Sequence, residues 1–186
     1  MLAGVDEVGR GPLAGPVVTA AVILSPNDPM LGAYRDSKKV SEKKRIKIYH
    51  HLKKHAVSYA VAQASLKEID NLNILHATMA AMRKAVLGLQ IAPTAVVVDG
   101  NRVPLDMPVP TTAVIGGDDL VQEIAAASII AKVVRDRLMC AYDVVHPGYQ
   151  FAKHKGYGTK VHMDALLAHG VSPIHRKSFA PIAKLL

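Results

Sequence analysis

The sequence holds one cysteine, Cys140, so no internal disulfide is available and the chain is expected in a reducing compartment, the cytoplasm. A lone cysteine in that setting reads as a small buried hydrophobe. Aromatic residues make up only 4% against 50% hydrophobic residues overall, so the core has to be built from Ala, Val, Ile and Leu. No apolar run reaches the roughly 20 residues of a membrane span, and no charged leader opens the chain, so neither a membrane nor a secretory route is expected. Cysteine and histidine do not cluster in ligand spacing, which argues against zinc. Internal repeats, low-complexity tracts and long linkers are also missing. The 186 residues fit one domain, large enough to bury a core without staples.

What the chain does have is positive charge: 23 Lys and Arg against 15 Asp and Glu, a formal +8. A balance of that size favours a polyanionic partner, most often nucleic acid, although a generally basic proteome gives the same total. The cations are clustered. Lys38, Lys39, Lys43, Lys44, Arg45 and Lys47 crowd one stretch, and Lys153, Lys155, Lys160, Arg176 and Lys177 another, which suits a phosphate track.

Hydrophobic patterning predicts alternating strands and helices. The apolar run 2–5 reads as a first strand, and the β-branched run 16–24, ended by Ser25-Pro26-Asn27, as a buried second one. Ser41 is placed to cap a basic helix reaching Ala56, and 57–64 alternates like a strand. Ser65 and Glu68 have capping-box spacing and open a helical region that Leu75, Met79, Met82 and Val86 continue and Gly88 can close. Residues 95–98 form a short, wholly apolar strand and 111–115 another. A long helix is expected over 120–145, its small residues Ala125 to Ser128 and Ala131 allowing close approach to a sheet. A loop at 153–158 leads to a helix from Thr159 to Ala168 and a basic tail. Strands bunched early and helices late predict an α/β fold with a helical C-terminal portion.

The chemistry-bearing residues sit where strands end. Asp6-Glu7-Val8-Gly9-Arg10-Gly11 follows the first apolar run. Carboxylates closing a buried strand are costly unless something binds them, and a divalent cation is the usual answer. A tight turn whose acids face water reads the same six residues equally well. Gly9 and Gly11 leave backbone amides free to approach a ligand, and Arg10 offers forked donors to a phosphate. Asp99 is either a site acid at a strand end or the start of a turn before Gly100. Asp118 and Asp119 precede the long helix, where aspartate also serves as a cap. Asp136, between Arg135 and Arg137, reads as a surface acid paired with those arginines, and His76 and His154 read as surface or core histidines.

The string DEVGRGPLAGPVV at 6–18 closely resembles the opening of ribonuclease HII, the type 2 ribonucleases H. The resemblance continues through DSKK at 36–39, NILHATM at 73–79, DGN at 99–101, EIAAASIIAKV at 123–133 and HKGY at 154–157, essentially the whole chain in order. It implies a ribonuclease H-like α/β fold, a central mixed β-sheet flanked by helices. One domain would span 1–186, with an α/β core over about 1–145 and a C-terminal helical substrate-binding portion over about 146–186. It also implies an endonuclease that hydrolyses the RNA strand of RNA/DNA hybrids and nicks duplex DNA 5′ of embedded ribonucleotides. Two ions of Mg²⁺ or Mn²⁺ would be its cofactors, and 3′-hydroxyl and 5′-phosphate ends its products.

Carried over position by position, Asp6, Glu7 and Asp99 correspond to catalytic, metal-binding carboxylates and Asp118 to the fourth. Counting back from Glu123-Ile124 favours Asp118 over Asp119. Gly9, Arg10 and Gly11 match the motif that reads the ribose 2′-hydroxyl, mostly through backbone groups. Tyr157 matches a tyrosine that packs on the sugar beside the scissile junction; Lys38, Lys39 and Asn73 match phosphate-contacting positions. Type III enzymes usually lack the arginine of Gly-Arg-Gly, so Arg10 favours type II. Two positions depart from the family: Gly158 stands where proline is usual, and the loop before the fourth acid is one residue longer. The expected partners are RNA/DNA hybrids and ribonucleotide-containing DNA, with no membrane and no protein partner in view, and the chain is expected to be a monomer.

Two other readings share parts of this pattern. A resolvase- or integrase-like nuclease would carry acids on strand ends without needing Gly-Arg-Gly and Tyr157. A nucleic-acid-binding module without activity would explain the +8 but not four acids in a phosphate-binding cleft.

Overall fold

A computed structural model describes residues 1–186. Strands β1 (Leu2–Val8), β2 (Val17–Ile23), β3 (Ser58–Ala64), β4 (Ala95–Asp99) and β5 (Thr111–Val114) form one mixed sheet in the order β3-β2-β1-β4-β5. Central β1 runs antiparallel to β2 and parallel to β4. All seven residues of β2 are buried, because helices cover both faces of the sheet.

Alternation along the strands divides the core. Val18, Ala20 and Val22 point toward α1 (Glu42–His55) and α4 (Gln122–Val145), whereas Ala3, Val5, Ala21 and Ile23 pack on Met82, Ala85 and Val86 of α2 (Leu66–Leu87). The small-residue stripe of α4 brings helix and sheet into backbone contact. A Cβ added at Gly4 would lie 2.1 Å from the carbonyl carbon of Glu123, so no larger residue fits.

The helices bear out the sequence reading with three local changes. Ser65 and Glu68 form the expected capping box, but α2 is kinked at Asn73, which takes φ 65°. The Asn73 Oδ1 accepts the amides of Leu75 and His76, restarting the helix after the kink. Ser41 stands at the N-cap of α1 without a side-chain capping bond. The long helix expected from residue 120 begins instead at Gln122, because α3 (Gly117–Leu120) precedes it and Val121 between them is extended.

The C-terminal part holds α5 (Phe151–His154), α6 (Lys160–His169) and α7 (Ala180–Ala183); α5 and α7 fall in segments the sequence reads as loop and tail. With Met139 of α4, these helices build a further apolar cluster of Leu13, Met139, Tyr149, Phe151, Leu166 and Ile182. Leu13 and Ala14, from the β1–β2 connection, sit inside it. No helix is long and apolar enough to cross a membrane. Cys140 is exposed on α4, against the expectation of a buried hydrophobe, because its position falls on the face of the helix turned from the sheet.

Candidate active site

Sheet register brings the acids together. Val5 on β1 pairs with Val98 on β4, so Asp6 and Asp99 follow as neighbours where two parallel strands end. Asp99 in turn pairs with Val114 of β5, and the turn through Gly116 returns the chain to Asp118. The Gly117 amide donates to Asp99 Oδ1 at 2.8 Å, tying that turn to β4. A Cβ at Gly117 would lie 2.5 Å from the Ile124 Cδ1 methyl, which would have to shift to admit it.

Electrostatics report the same convergence. Asp6 is 5% exposed, and burial together with the charges of Glu7, Asp99 and Asp118 pushes its carboxyl well above the usual range. Burial also raises Glu7, partly offset by Arg10, whose Nη1 lies 3.4 Å from Glu7 Oε1. Asp118 is raised by burial, then by Asp36 and Asp99. Like charges held this close are unfavourable, and a cation is the natural relief. Part of that relief comes from Lys38, whose Nζ stands 3.6 Å from Asp118 and 3.8 Å from Asp36; against the opposing effect of burial, these two acids raise its pKa.

The donor set is all oxygen, the kind that hard divalent cations take. No three His, Cys, Asp or Glu side chains are already gathered into a closed metal cage. Carboxylates of this kind fit Mg²⁺ or Mn²⁺, which keep water and substrate oxygens in their coordination and need no all-protein cage.

Asp118 and Asp119 separate cleanly. Asp118 is buried and faces the acids, whereas exposed Asp119 is held by Lys39 Nζ at 2.6 Å. The 3₁₀ turn carrying Lys38 and Lys39 is anchored below, where the Ser37 amide donates to Ser128 Oγ of α4 at 3.2 Å. Asp136 is bonded by Lys132 at 2.8 Å and faces Arg45 at 3.7 Å, rather than its arginine neighbours in sequence.

The Gly-Arg-Gly turn lies beside the acids. Gly9 takes φ 102°, and a Cβ there would lie 2.0 Å from Arg135 Nε, so both conformation and space require glycine. Tyr157 stands across from Gly11, 45% exposed. Asn73 is exposed at the α2 kink and its Oδ1 is used by its own helix. It makes no contact with the acids.

Sequence reasoning passed over four buried groups behind this surface: Arg135, His162, His175 and Arg176, all at most 1% exposed. In sequence they sit among other cations and histidines, and nothing marks them as interior. Asp36, which faces Lys38 and Asp118, was legible only as part of the DSKK string.

A mixed sheet ending in acids, covered by helices on both faces, defines a ribonuclease H-type nuclease fold. The sequence model of the ribonuclease HII family matches residues 3–182, and the chain belongs to that family. It is accordingly a ribonuclease H, a hydrolase acting on RNA paired with DNA. Among solved structures it is similar to ribonuclease H2 from Pyrococcus horikoshii OT3, with 27% identity and TM-score 0.80 over 99% of this chain and 96% of that one. RNase HII from Archaeoglobus fulgidus, solved in a complex with PCNA, gives 24% and 0.81 over 100% and 96%. Bst-RNase HIII in complex with Mn²⁺ gives 18% and 0.71 over 99% of this chain but 68% of that one, a likeness of fold.

Proposed function

We propose that this chain nicks duplex DNA on the 5′ side of embedded ribonucleotides and cuts the RNA strand of hybrids, leaving 3′-hydroxyl and 5′-phosphate ends. The observation that carries the reading is the meeting of Asp6, Glu7, Asp99 and Asp118 beside a Gly-Arg-Gly turn that faces Tyr157. Two divalent ions, Mg²⁺ or Mn²⁺, would supply an activated water and neutralise charge on the attacking and leaving oxygens. Asp6, Glu7, Asp99 and Asp118 would hold them.

The remaining work falls to the chain's own groups. The turn at 9–11 and Tyr157 present backbone amides and an aromatic ring to the sugar, where the 2′-hydroxyl alone distinguishes ribose from deoxyribose. Lys38 lies close enough to move from Asp118 onto a phosphate when substrate enters, and Lys39 and Asn73 extend the phosphate track. Residues 146–186 form the substrate-binding portion, since they supply Tyr157 and the segment behind the turn. Water is the nucleophile and the 3′-oxygen leaves, so the 2′-hydroxyl is read and not consumed. Product analysis tests this: a ligatable 5′-phosphate and an extendable 3′-hydroxyl are expected, whereas a 2′,3′-cyclic phosphate would contradict it.

A further inference from the structure

We propose that the adjacent pair His175 and Arg176 are positioning residues for ribose discrimination, one holding the Tyr157 loop and the other the Gly9–Gly11 turn. The inference rests on the proposed reading of those two elements as the sugar-contacting surface. Both residues lie behind that surface, out of reach of a bound sugar; His175 is 1% and Arg176 0% exposed.

Arg176 works on the turn. Its Nη1 donates to Arg10 O at 2.8 Å, its Nη2 to Gly9 O at 2.5 Å and Gly15 O at 2.8 Å, and its Nε to Gly15 O at 2.9 Å. No carboxylate lies within ion-pair distance, so the buried guanidinium is held by these carbonyls and by the Phe179 ring, whose centroid lies 5.1 Å from Arg176 Cζ. Burial, with Arg135 nearby, pushes it down to about 9. A charge placed at that cost fixes where both peptide carbonyls of the turn point. Arg135 completes the cradle, donating to Ala14 O, Pro16 O and Lys155 O.

His175 works on the tyrosine loop through a hydrogen-bond chain whose direction its ends decide. The Ser172 amide donates to His175 Nδ1 at 2.9 Å, so the ring proton is on Nε2. That Nε2–H donates to His162 Nε2 at 2.9 Å, leaving the His162 proton on Nδ1. His162 Nδ1–H then donates to Tyr157 O, which can only accept, at 2.9 Å. His154 stacks on His162 with ring centroids 4.4 Å apart and accepts the Gly156 amide at Nδ1. The same short segment bonds the β1–β2 connection, Arg176 N to Leu13 O and Gly15 N to Ile174 O, both at 2.9 Å. One rigid bracket therefore sets the distance between turn and tyrosine.

Three variants test the bracket: Arg176→Lys, which keeps the charge and loses the fork; His175→Ala; and His175→Gln, which keeps a donor toward His162. Arg176→Lys and His175→Ala are expected to lower kcat/KM on a single-ribonucleotide duplex by about tenfold or more, while Kd for an all-DNA duplex changes less than about twofold. Amide exchange should quicken over 9–15 in the first and 156–159 in the second, with His175→Gln recovering most of the loss. Folded variants with unchanged kcat/KM and exchange, or equal losses in cleavage and DNA binding, would overturn the inference. The exchange arm needs no substrate. A wild-type protein that fails to discriminate ribose therefore counts against the proposed function, while the bracket stands or falls on exchange.

Discussion

Gly11 and Tyr157 face each other so closely that a Cβ on Gly11 would lie 3.6 Å from Tyr157 Cε1. That is ordinary contact distance, so an alanine fits, but a branched side chain would press on the Tyr157 ring and displace it. Gly11→Val is expected to lower cleavage of a ribonucleotide-containing duplex by roughly a hundredfold while shifting duplex affinity only a few-fold. Equal losses in turnover and affinity would show that the turn grips nucleic acid in general.

Burial, and then the charges of Glu7, Asp99 and Asp118, push the Asp6 carboxyl well above the usual range. Asp6→Asn should raise the Tm of the protein in chelator by about 2–6 °C at neutral pH. It should also reduce metal-dependent turnover by at least about 10²–10³-fold. Thermal scans with and without Mn²⁺ check both: wild type gains stability from the ion, and the variant gains much less.

Lys38 places a positive charge 3.6 Å from Asp118, where it would repel a bound cation. Lys38→Ala should therefore tighten Mn²⁺ binding by about 3- to 10-fold in calorimetry at moderate salt. Duplex affinity should move the other way, since a phosphate partner is removed.

The buried histidines give stability a definite pH dependence. Burial and His162 push His175 down to about 4, and burial also lowers His162. As pH falls below about 6.5, the unfolded chain takes up protons that the folded chain refuses, so stability drops through the window down to about 4. Asp6 and Glu7 act in the opposite sense, because their raised values favour proton uptake by the folded chain. His175→Gln isolates the histidine contribution. Between pH 7 and pH 5 wild type should lose about 3 °C more in Tm than this variant.

Much of the fold is legible in composition and period. β1 and β4 are short apolar runs that stop at acids, and the small-residue stripe of α4 announces close packing. Asp6, Glu7 and Asp99 stand where apolar runs stop, but that they converge with Asp118 is implied by the family resemblance and not by their spacing. What the sequence conceals are effects of tertiary surroundings. Asn73 reads as one residue of a continuous helical pattern, yet it breaks α2 and caps the second half itself. Arg176 reads as one cation in a basic tail, because a guanidinium satisfied by carbonyls leaves no acidic partner in the pattern. The same holds for His162 and His175, whose pairing spans a helix and a loop.

The most direct test of metal-dependent, ribose-selective hydrolysis uses one duplex carrying a single internal ribonucleotide beside an all-DNA control. With Mg²⁺ or Mn²⁺, one nick on the 5′ side of the ribonucleotide is expected, with the control intact and chelator abolishing the cut. Cleavage of both duplexes, or cleavage that survives chelation, would contradict it.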